Sequence, residues 1–230
     1  MIKKYENKTK THILKRLLLS NRCNLCAEVL PIESDVCDKC SVEKIRVTED
    51  KISSLIFTGK QFDALTSPFY YDDPIDKCIW NLKYNNFKPA SEFLASEMSD
   101  VIERDFKNEN PDFITCIPMT KRRKRKRIFN HGEVIARRIG KAFDIDFAPD
   151  LLKKIKNTKP QVNLSAKERQ TNLKGAFAIN SKYDIKNKTI LICDDVITTG
   201  STLEECAKVL KKAGAKRIIC AVAAFNNKDL

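Results

Sequence analysis

The stretch from Lys188 to Leu203 constrains this chain more than any other. An apolar, β-prone run from Ile190 to Cys193 ends in two carboxylates, Asp194 and Asp195. A hydroxyl-rich turn follows, Thr198-Thr199-Gly200-Ser201-Thr202, and then a helical pattern of Leu203, Cys206, Ala207, Leu210 and Ala213 that Gly214 stops. The expectation is a strand, a loop of phosphate size and a helix start. A strand that is apolar throughout is buried on both faces, as in a parallel sheet, and polar residues at its carboxyl end mark the edge where open α/β sheets bind ligands. Adjacent carboxylates there can accept hydrogen bonds from two neighbouring sugar hydroxyls, or hold a hydrated Mg²⁺ beside them, because that ion takes hard oxygen ligands. The hydroxyls and amides of 198–202 can converge on a phosphate, with glycine permitting close approach and the helix dipole favouring negative charge. A plainer account makes Thr202 and Glu205 a capping box. It needs one hydroxyl and leaves the two acids and the remaining hydroxyls around Gly200 without a purpose. Neither the Walker A pattern nor the Rossmann glycine fingerprint occurs.

Length and composition set the frame around that stretch. The 230 residues suffice for one sizeable core and a small satellite, and the net charge of +13 points to polyanionic company: nucleic acid, acidic lipid or phosphorylated substrates. No apolar run approaches the roughly 20 residues of a membrane span, and Leu17 to Leu19 is too short for a signal-peptide core, so a cytoplasmic protein is expected. Of nine cysteines, five (Cys78, Cys116, Cys193, Cys206 and Cys220) stand singly, several within strand or helix patterns, as buried thiols in a reducing compartment do.

The other four form Cys23-x-x-Cys26 and Cys37-x-x-Cys40, with ten residues between the pairs. Two such pairs place four thiolates within tetrahedral reach of one Zn²⁺, and the metal replaces a core that this segment is too small to build. Redox-active dithiols are the rival reading, though those come as a single pair beside a βαβ unit. Four protein ligands close the coordination sphere, so such a zinc is structural.

The rest of the chain reads as follows. Residues 1–50 form an amino-terminal segment containing the ribbon, with an apolar stripe at Ile13, Leu14, Leu17 and Leu18; 41–66 resemble a linker; and the main domain spans 67–230, opening on the strand-like Ser67–Tyr71. A helix carries Ile75, Ile79, Trp80 and Leu82 until Lys83–Phe87 breaks it, and a second from Pro89 carries Phe93, Leu94, Met98, Val101 and Ile102. The aromatic residues lie at core spacing, which argues against base stacking by Trp80. Asp112–Pro118 reads as a buried strand running into seven consecutive cations, Lys121 to Arg127. At the carboxyl end of a parallel strand those cations either meet a diphosphate or a nucleic-acid backbone, or are a solvated charge run. His131, at the start of a helix with Ile135 and Ile139 on one face, reads as a cap or surface residue. Leu151–Lys156 and Ala176–Ile179 are strand candidates around a polar excursion, 157–173, which is either a loop closing over substrate or a connector; Arg217–Phe225 is a fully buried strand.

Asp194 to Thr202 resembles the phosphoribosyl-diphosphate (PRPP) motif of type I phosphoribosyltransferases. Together with the paired cysteines, Leu82-Lys83-Tyr84, Leu94-Ala95, Ile117-Pro118, Arg127 with Phe129-Asn130, Thr158 with Gln161 and Leu164, Arg169 with Asn172, and Gly175 with Phe177, it resembles the ComF family over nearly the whole chain. That resemblance implies an α/β fold, a type I phosphoribosyltransferase-like parallel sheet flanked by helices with a small amino-terminal zinc ribbon, in bacterial cytoplasmic proteins linked to uptake of transforming DNA. It implies that Asp194 and Asp195 face the ribose hydroxyls and that Thr198, Thr199, Gly200, Ser201 and Thr202 wrap the 5′-phosphate, with Mg²⁺ on the leaving diphosphate and Arg127 among the cations that balance its charge. The family's usual Arg-Gly-Phe-Asn-Gln is here Arg127-Ile128-Phe129-Asn130-His131, a departure in the loop before the 131 helix. Two functions follow as alternatives. One is phosphoribosyl transfer from PRPP to an unnamed acceptor; the other is a non-catalytic module in which ribbon and basic run engage single-stranded DNA or a competence helicase. A purely structural zinc adaptor leaves the acid pair and threonine loop unexplained.

Overall fold

The computed structural model describes residues 21–31, 34–48, 61–85, 87–119, 130–156, 158 and 172–226. The amino-terminal apolar stripe, the basic run with Arg127, and most of the 157–173 excursion lie outside the described residues.

Two long strands organise the molecule. β7 (Thr189–Ile197) and β8 (Arg217–Phe225) pair in parallel along their whole lengths, from Thr189 against Arg217 to Ile197 against Phe225. Period-two alternation sends their side chains to two separate cores. Leu191, Cys193, Ile219 and Ala221 face one side; Ile190, Ile192, Ile218, Cys220 and Val222 face the other. Strands buried on both faces are necessarily apolar at every position, which is why 190–193 and 217–225 read so plainly in sequence. β1 (Ala64–Thr66) and β2 (Phe69–Tyr70) both pair with β8, while β3 (Phe113–Cys116) pairs with β7 and β4 (Asp146–Phe147) with β3. The sheet order is β1-β8-β7-β3-β4, all parallel, with β2 beside β8. A separate antiparallel pair joins β5 (Leu152–Lys154) and β6 (Phe177–Ile179).

Helices cover both faces. α1 (Ile75–Asn85), α2 (Lys88–Phe106) and α3 (His131–Phe143) contribute to the first core; α4 (Ser201–Lys212) packs with the β5–β6 pair in the second. Because β7 leads through α4 to β8 on one side and β3 leads through α3 to β4 on the other, the chain reverses direction between β7 and β3. In doubly wound sheets ligands bind at that switch point. Among the described residues no helix is long and apolar enough to cross a membrane.

Several residues sit differently from their sequence expectation: Ala64–Thr66, read as part of a linker, form β1 of the main sheet, and Lys83–Asn85, read as a helix break, lie within α1. His131 is 5% exposed, beneath the first turn of α3 and not at the surface. Trp80 is 54% exposed. Ile75, Ile79 and Leu82 share the buried face of α1, and at roughly 100° per residue Trp80 falls beside that face, not on it.

α3 lies against the sheet so closely that a Cβ on Gly140 would stand 2.8 Å from Ile114 Cγ2 and 3.0 Å from the Ile145 carbonyl oxygen. Gly140→Ala would gain helix propensity, but it presses on a buried strand residue and on backbone. A net loss of about 1–3 kcal/mol is expected from overpacking, read as a lower urea midpoint; an unchanged or raised midpoint would contradict the close approach.

Candidate functional site

β3 is paired to β7 only as far as Cys116 opposite Cys193, whereas β7 continues beside β8 to Ile197. The sequence reading ends the strand at Cys193. The structure instead carries Asp194 and Asp195 within β7, past the point where β3 has left it. Their backbone is held from one side by β8 while the other side opens into the notch between β7 and β3. Asn130, just before α3, closes the floor of that notch by donating from Nδ2 to the Ile117 carbonyl (3.1 Å), and Gly132 brings the first turn of α3 to within 3.8 Å, measured from an added Cβ, of the Cys193 carbonyl oxygen.

The acid pair is electrostatically arranged. Asp194 Oδ1 accepts the Asp195 amide at 2.9 Å. Lys83, near the end of α1, places Nζ 2.8 Å from Asp195 Oδ2, both side chains about one-fifth exposed. Burial pushes the Asp194 carboxyl up, the adjacent Asp195 charge adds to this, and the Asp195 amide and Lys83 only partly offset it, leaving Asp194 at about 7. For Lys83 burial works against the charge, but the Asp195 and Asp194 carboxylates outweigh it and hold the ammonium above its ordinary range. Lys83 has no marker in the sequence beyond its place in Leu82-Lys83-Tyr84. Nothing local shows that a lysine closing an amphipathic helix meets a carboxylate 112 residues later.

The loop after β7 turns through Gly200 in the left-handed region (φ 73°), a conformation that glycine adopts without strain, and Gly200 is the N-cap of α4. Thr199 Oγ1 and Ser201 Oγ stand 2.9 Å apart. Thr202 lies inside the first turn, so no capping box forms with Glu205, whose Oε1 instead accepts the Gly175 amide at 2.6 Å. Glu204 Oε2 likewise accepts the Gln61 amide at 2.9 Å. Glu204 in the first turn and Glu205 just after it therefore tie down neighbouring loops; the N-cap, Gly200, has no side chain to offer, and the Ser201 amide donates to Thr199 Oγ1 at 3.5 Å. Asp194, Asp195 and Thr198–Thr202 thus share one sheet edge; Arg127 lies outside the described residues.

The four ribbon cysteines come together elsewhere. Their sulfurs all lie within 4.8 Å of one another, and Cys26 and Cys37 are 3.7 Å apart. A tetrahedral tetrathiolate with metal–sulfur bonds of ~2.3 Å has sulfur–sulfur edges of about 3.8 Å, so the set fits and could hold one metal ion. Burial raises the Cys23 thiol, but amide hydrogen bonds from Cys26, Cys37 and Leu25 outweigh that and bring it down to about 7. Burial raises Cys26 and Cys40. The ribbon docks on the main sheet through the Val47 amide to the Pro68 carbonyl (2.9 Å) and Arg46 to Glu97 of α2 (2.7 Å). Between ribbon and α1 lies a cleft of about 360 Å³ lined by Cys26, Tyr71, Asp76, Lys77, Trp80 and Asn81; beside it Trp80 and the 63% exposed Tyr84 stand 5.4 Å apart between ring centres. The five single cysteines are all buried and none is in a disulfide.

The family model for the phosphoribosyl transferase domain matches residues 84–230. "Competence protein F" of Haemophilus influenzae is 32% identical over 162 residues, 68% of this chain and 70% of its own length. This chain belongs to the phosphoribosyl transferase domain family, in its ComF branch. "DNA utilization protein YhgH" of Escherichia coli (strain K12) is 25% identical over 203 residues, 85% of this chain and 86% of its own. Among solved structures, a purine phosphoribosyltransferase from Pyrococcus horikoshii aligns over 58% of this chain and 71% of its own at 26% identity and a TM-score of 0.36. The family match and the sheet order, not that superposition, establish the type I phosphoribosyltransferase fold for this ComF chain.

Asp194 has a folded-state pKa (about 7) above its ordinary 3.8, so between those values the native state binds more protons than the unfolded chain. Its charge therefore lowers stability progressively from pH 4 to pH 7 and fully above that. Asp194→Asn should raise the urea midpoint at pH 8 and change it least near pH 4.5; a midpoint gain independent of pH would contradict the assignment.

Proposed function

We propose that this ComF-family chain binds PRPP with Mg²⁺ at the β7–α4 edge, in the cytoplasm, and serves the competence and DNA utilization that its relatives' names state. The observation that supports this reading is the placing of Asp194 and Asp195 in the switch-point notch, continuous with a glycine-turned hydroxyl loop that leads into the start of α4. The two carboxylates suit the vicinal 2′ and 3′ hydroxyls, each carboxylate accepting one hydrogen bond. Thr198, Thr199, Ser201 and Thr202, with the first amides of α4, suit the 5′-phosphate. Mg²⁺ would be held beside Asp194 and Asp195 and would neutralise the leaving diphosphate. The cations of 121–127, Arg127 among them, would balance what charge remains.

The reaction this site suits is phosphoribosyl transfer. The bond between ribose C1 and the diphosphate breaks, pyrophosphate leaves with the electron pair, and an acceptor nucleophile bonds to C1 through an oxocarbenium-like transition state. The carboxylates orient the ring and the hydroxyl loop fixes its far end, so positioning and electrostatics carry the rate. The ribbon cysteines Cys23, Cys26, Cys37 and Cys40 would bind structural Zn²⁺. With four ligands it has no open position for substrate.

A second reading has one observation in its favour, the exposed Trp80–Tyr84 pair beside the ribbon cleft, on which bases of single-stranded DNA could stack. The ribbon brings no net positive charge to such a strand, since residues 21–48 carry four Lys or Arg against five Asp or Glu. Calorimetric titration with PRPP, with and without Mg²⁺, decides between the readings. Mg²⁺-dependent binding that the Asp194→Asn/Asp195→Asn variant loses supports the first. No PRPP binding, together with oligonucleotide binding abolished by Trp80→Ala, would replace it with the second. Metal analysis of the purified chain should find one zinc per molecule and none in Cys37→Ser, with a lowered melting temperature; a metal-free wild type that is equally stable would remove zinc from the account.

A further inference from the structure

α1 touches the ribbon with one side and the acid pair with the other. Asn81 donates from Nδ2 to the Leu25 carbonyl at 3.0 Å, and the Cys78 thiol lies 3.7 Å from the Asn24 carbonyl oxygen. Asn24 and Leu25 are the two residues between Cys23 and Cys26, so both contacts fall on one cysteine turn. Asn81 is buried, and its Oδ1 accepts from Asn85 at 2.8 Å, which fixes which end of the amide faces the ribbon. Two residues further on, about 200° around the helix, Lys83 reaches Asp195 at 2.8 Å. Asn81, Lys83 and the ribbon all precede Tyr84, where the phosphoribosyl transferase domain match begins.

We propose that Asn81 is a positioning residue for the acid pair. By hydrogen-bonding the Cys23–Cys26 turn it sets the rotation of α1 that brings Lys83 onto Asp195, so ribbon docking and ligand affinity at Asp194–Asp195 are coupled. The apolar contacts of Ile75, Ile79 and Leu82 hold α1 at its depth on the core, but apolar burial is not directional. Hydrogen bonds are directional, and those at Cys78 and Asn81 bear on the rotation of the helix. Lys83 matters to ligand because it pairs with one of two adjacent carboxylates. Without its ammonium, two negative groups repel each other and also the strongly anionic PRPP. The inference rests on the proposal that PRPP binds at this pair.

The test is a double-mutant cycle on the zinc-loaded chain, with metal content and circular dichroism checked for every variant. Lys83→Met should weaken PRPP binding at least tenfold, Asn81→Ala by roughly three- to tenfold, and the double variant no more than Lys83→Met alone, because Asn81 acts only through Lys83. Lys83→Arg should recover most of the affinity, which a merely structural role for the position would not require. Should Asn81→Ala lose zinc or fold poorly, Cys78→Ala, which removes the neighbouring thiol contact, should show the same non-additivity. Multiplying losses in the double variant, or an Asn81→Ala variant that binds like wild type, would overturn the coupling. If zinc-loaded wild type binds no PRPP, the binding proposal fails separately. Hydrogen exchange of the peptide spanning 189–200 then reads the coupling: Asn81→Ala should raise it to the level seen in Lys83→Met, and unchanged exchange would end the proposal.

Discussion

The parallel pairing of β7 with β8 is the constraint on which the rest of the molecule depends. Nine residues of each strand run side by side, and their alternating side chains supply the floor of both hydrophobic cores. Because β3 is only four residues long, β7 has a partner on both sides as far as Cys193 and on one side thereafter. A carboxylate within a fully covered strand would lack solvent and partners alike. Beyond Cys193 the same strand can carry two, since one flank is open while β8 still fixes the backbone. Rigid backbone and open flank are the combination a binding edge requires.

The opening is bounded by elements that arrive from distant parts of the chain. β2 follows the edge of β8, where Tyr71 donates to the Phe225 carbonyl at 2.8 Å, and this delivers α1 to the carboxyl edge of the sheet. There Lys83 meets Asp195, while the opposite side of the helix seats the ribbon. Among its described residues the ribbon fully buries Leu25, Cys23, Cys40, Val42 and Val47, too little for an independent core, so its shape depends on the four thiols and on docking. Its charge is nearly balanced. The excess of +13 therefore resides elsewhere in the chain, seven of the cations in 121–127.

Whole categories of structure were legible in the residues themselves. A strand buried on both faces cannot hide its apolar run, so β7, β8 and β3 are plain in the sequence, as are the helical faces of α2, α3 and α4. The two cysteine pairs declare a cluster because a metal-sized set of thiols needs short, turn-forming spacings, and the structure brings their sulfurs within 4.8 Å. The acid pair and hydroxyl loop stood out because residues of such polarity do not follow a buried strand without cause. All of these signals are local: each is carried by residues within one element or one turn.

Other features needed the folded chain. That β7 runs on to Ile197 follows from the length of β8, not from anything between Asp194 and Ile197. That Thr202 is not the N-cap follows from Gly200 taking that position, and Glu205 is claimed by Gly175. Exposure of Trp80 depends on which arc of α1 the core covers, and burial of His131 on where α3 lands on the sheet. The Lys83–Asp195 pair joins residues that no periodicity relates. Sequence determined the elements and their chemistry, because propensity, patterning and ligand spacing are short-range properties. Tertiary structure alone decided which charges meet and which faces stay open, because those depend on the register and packing of segments far apart in the chain.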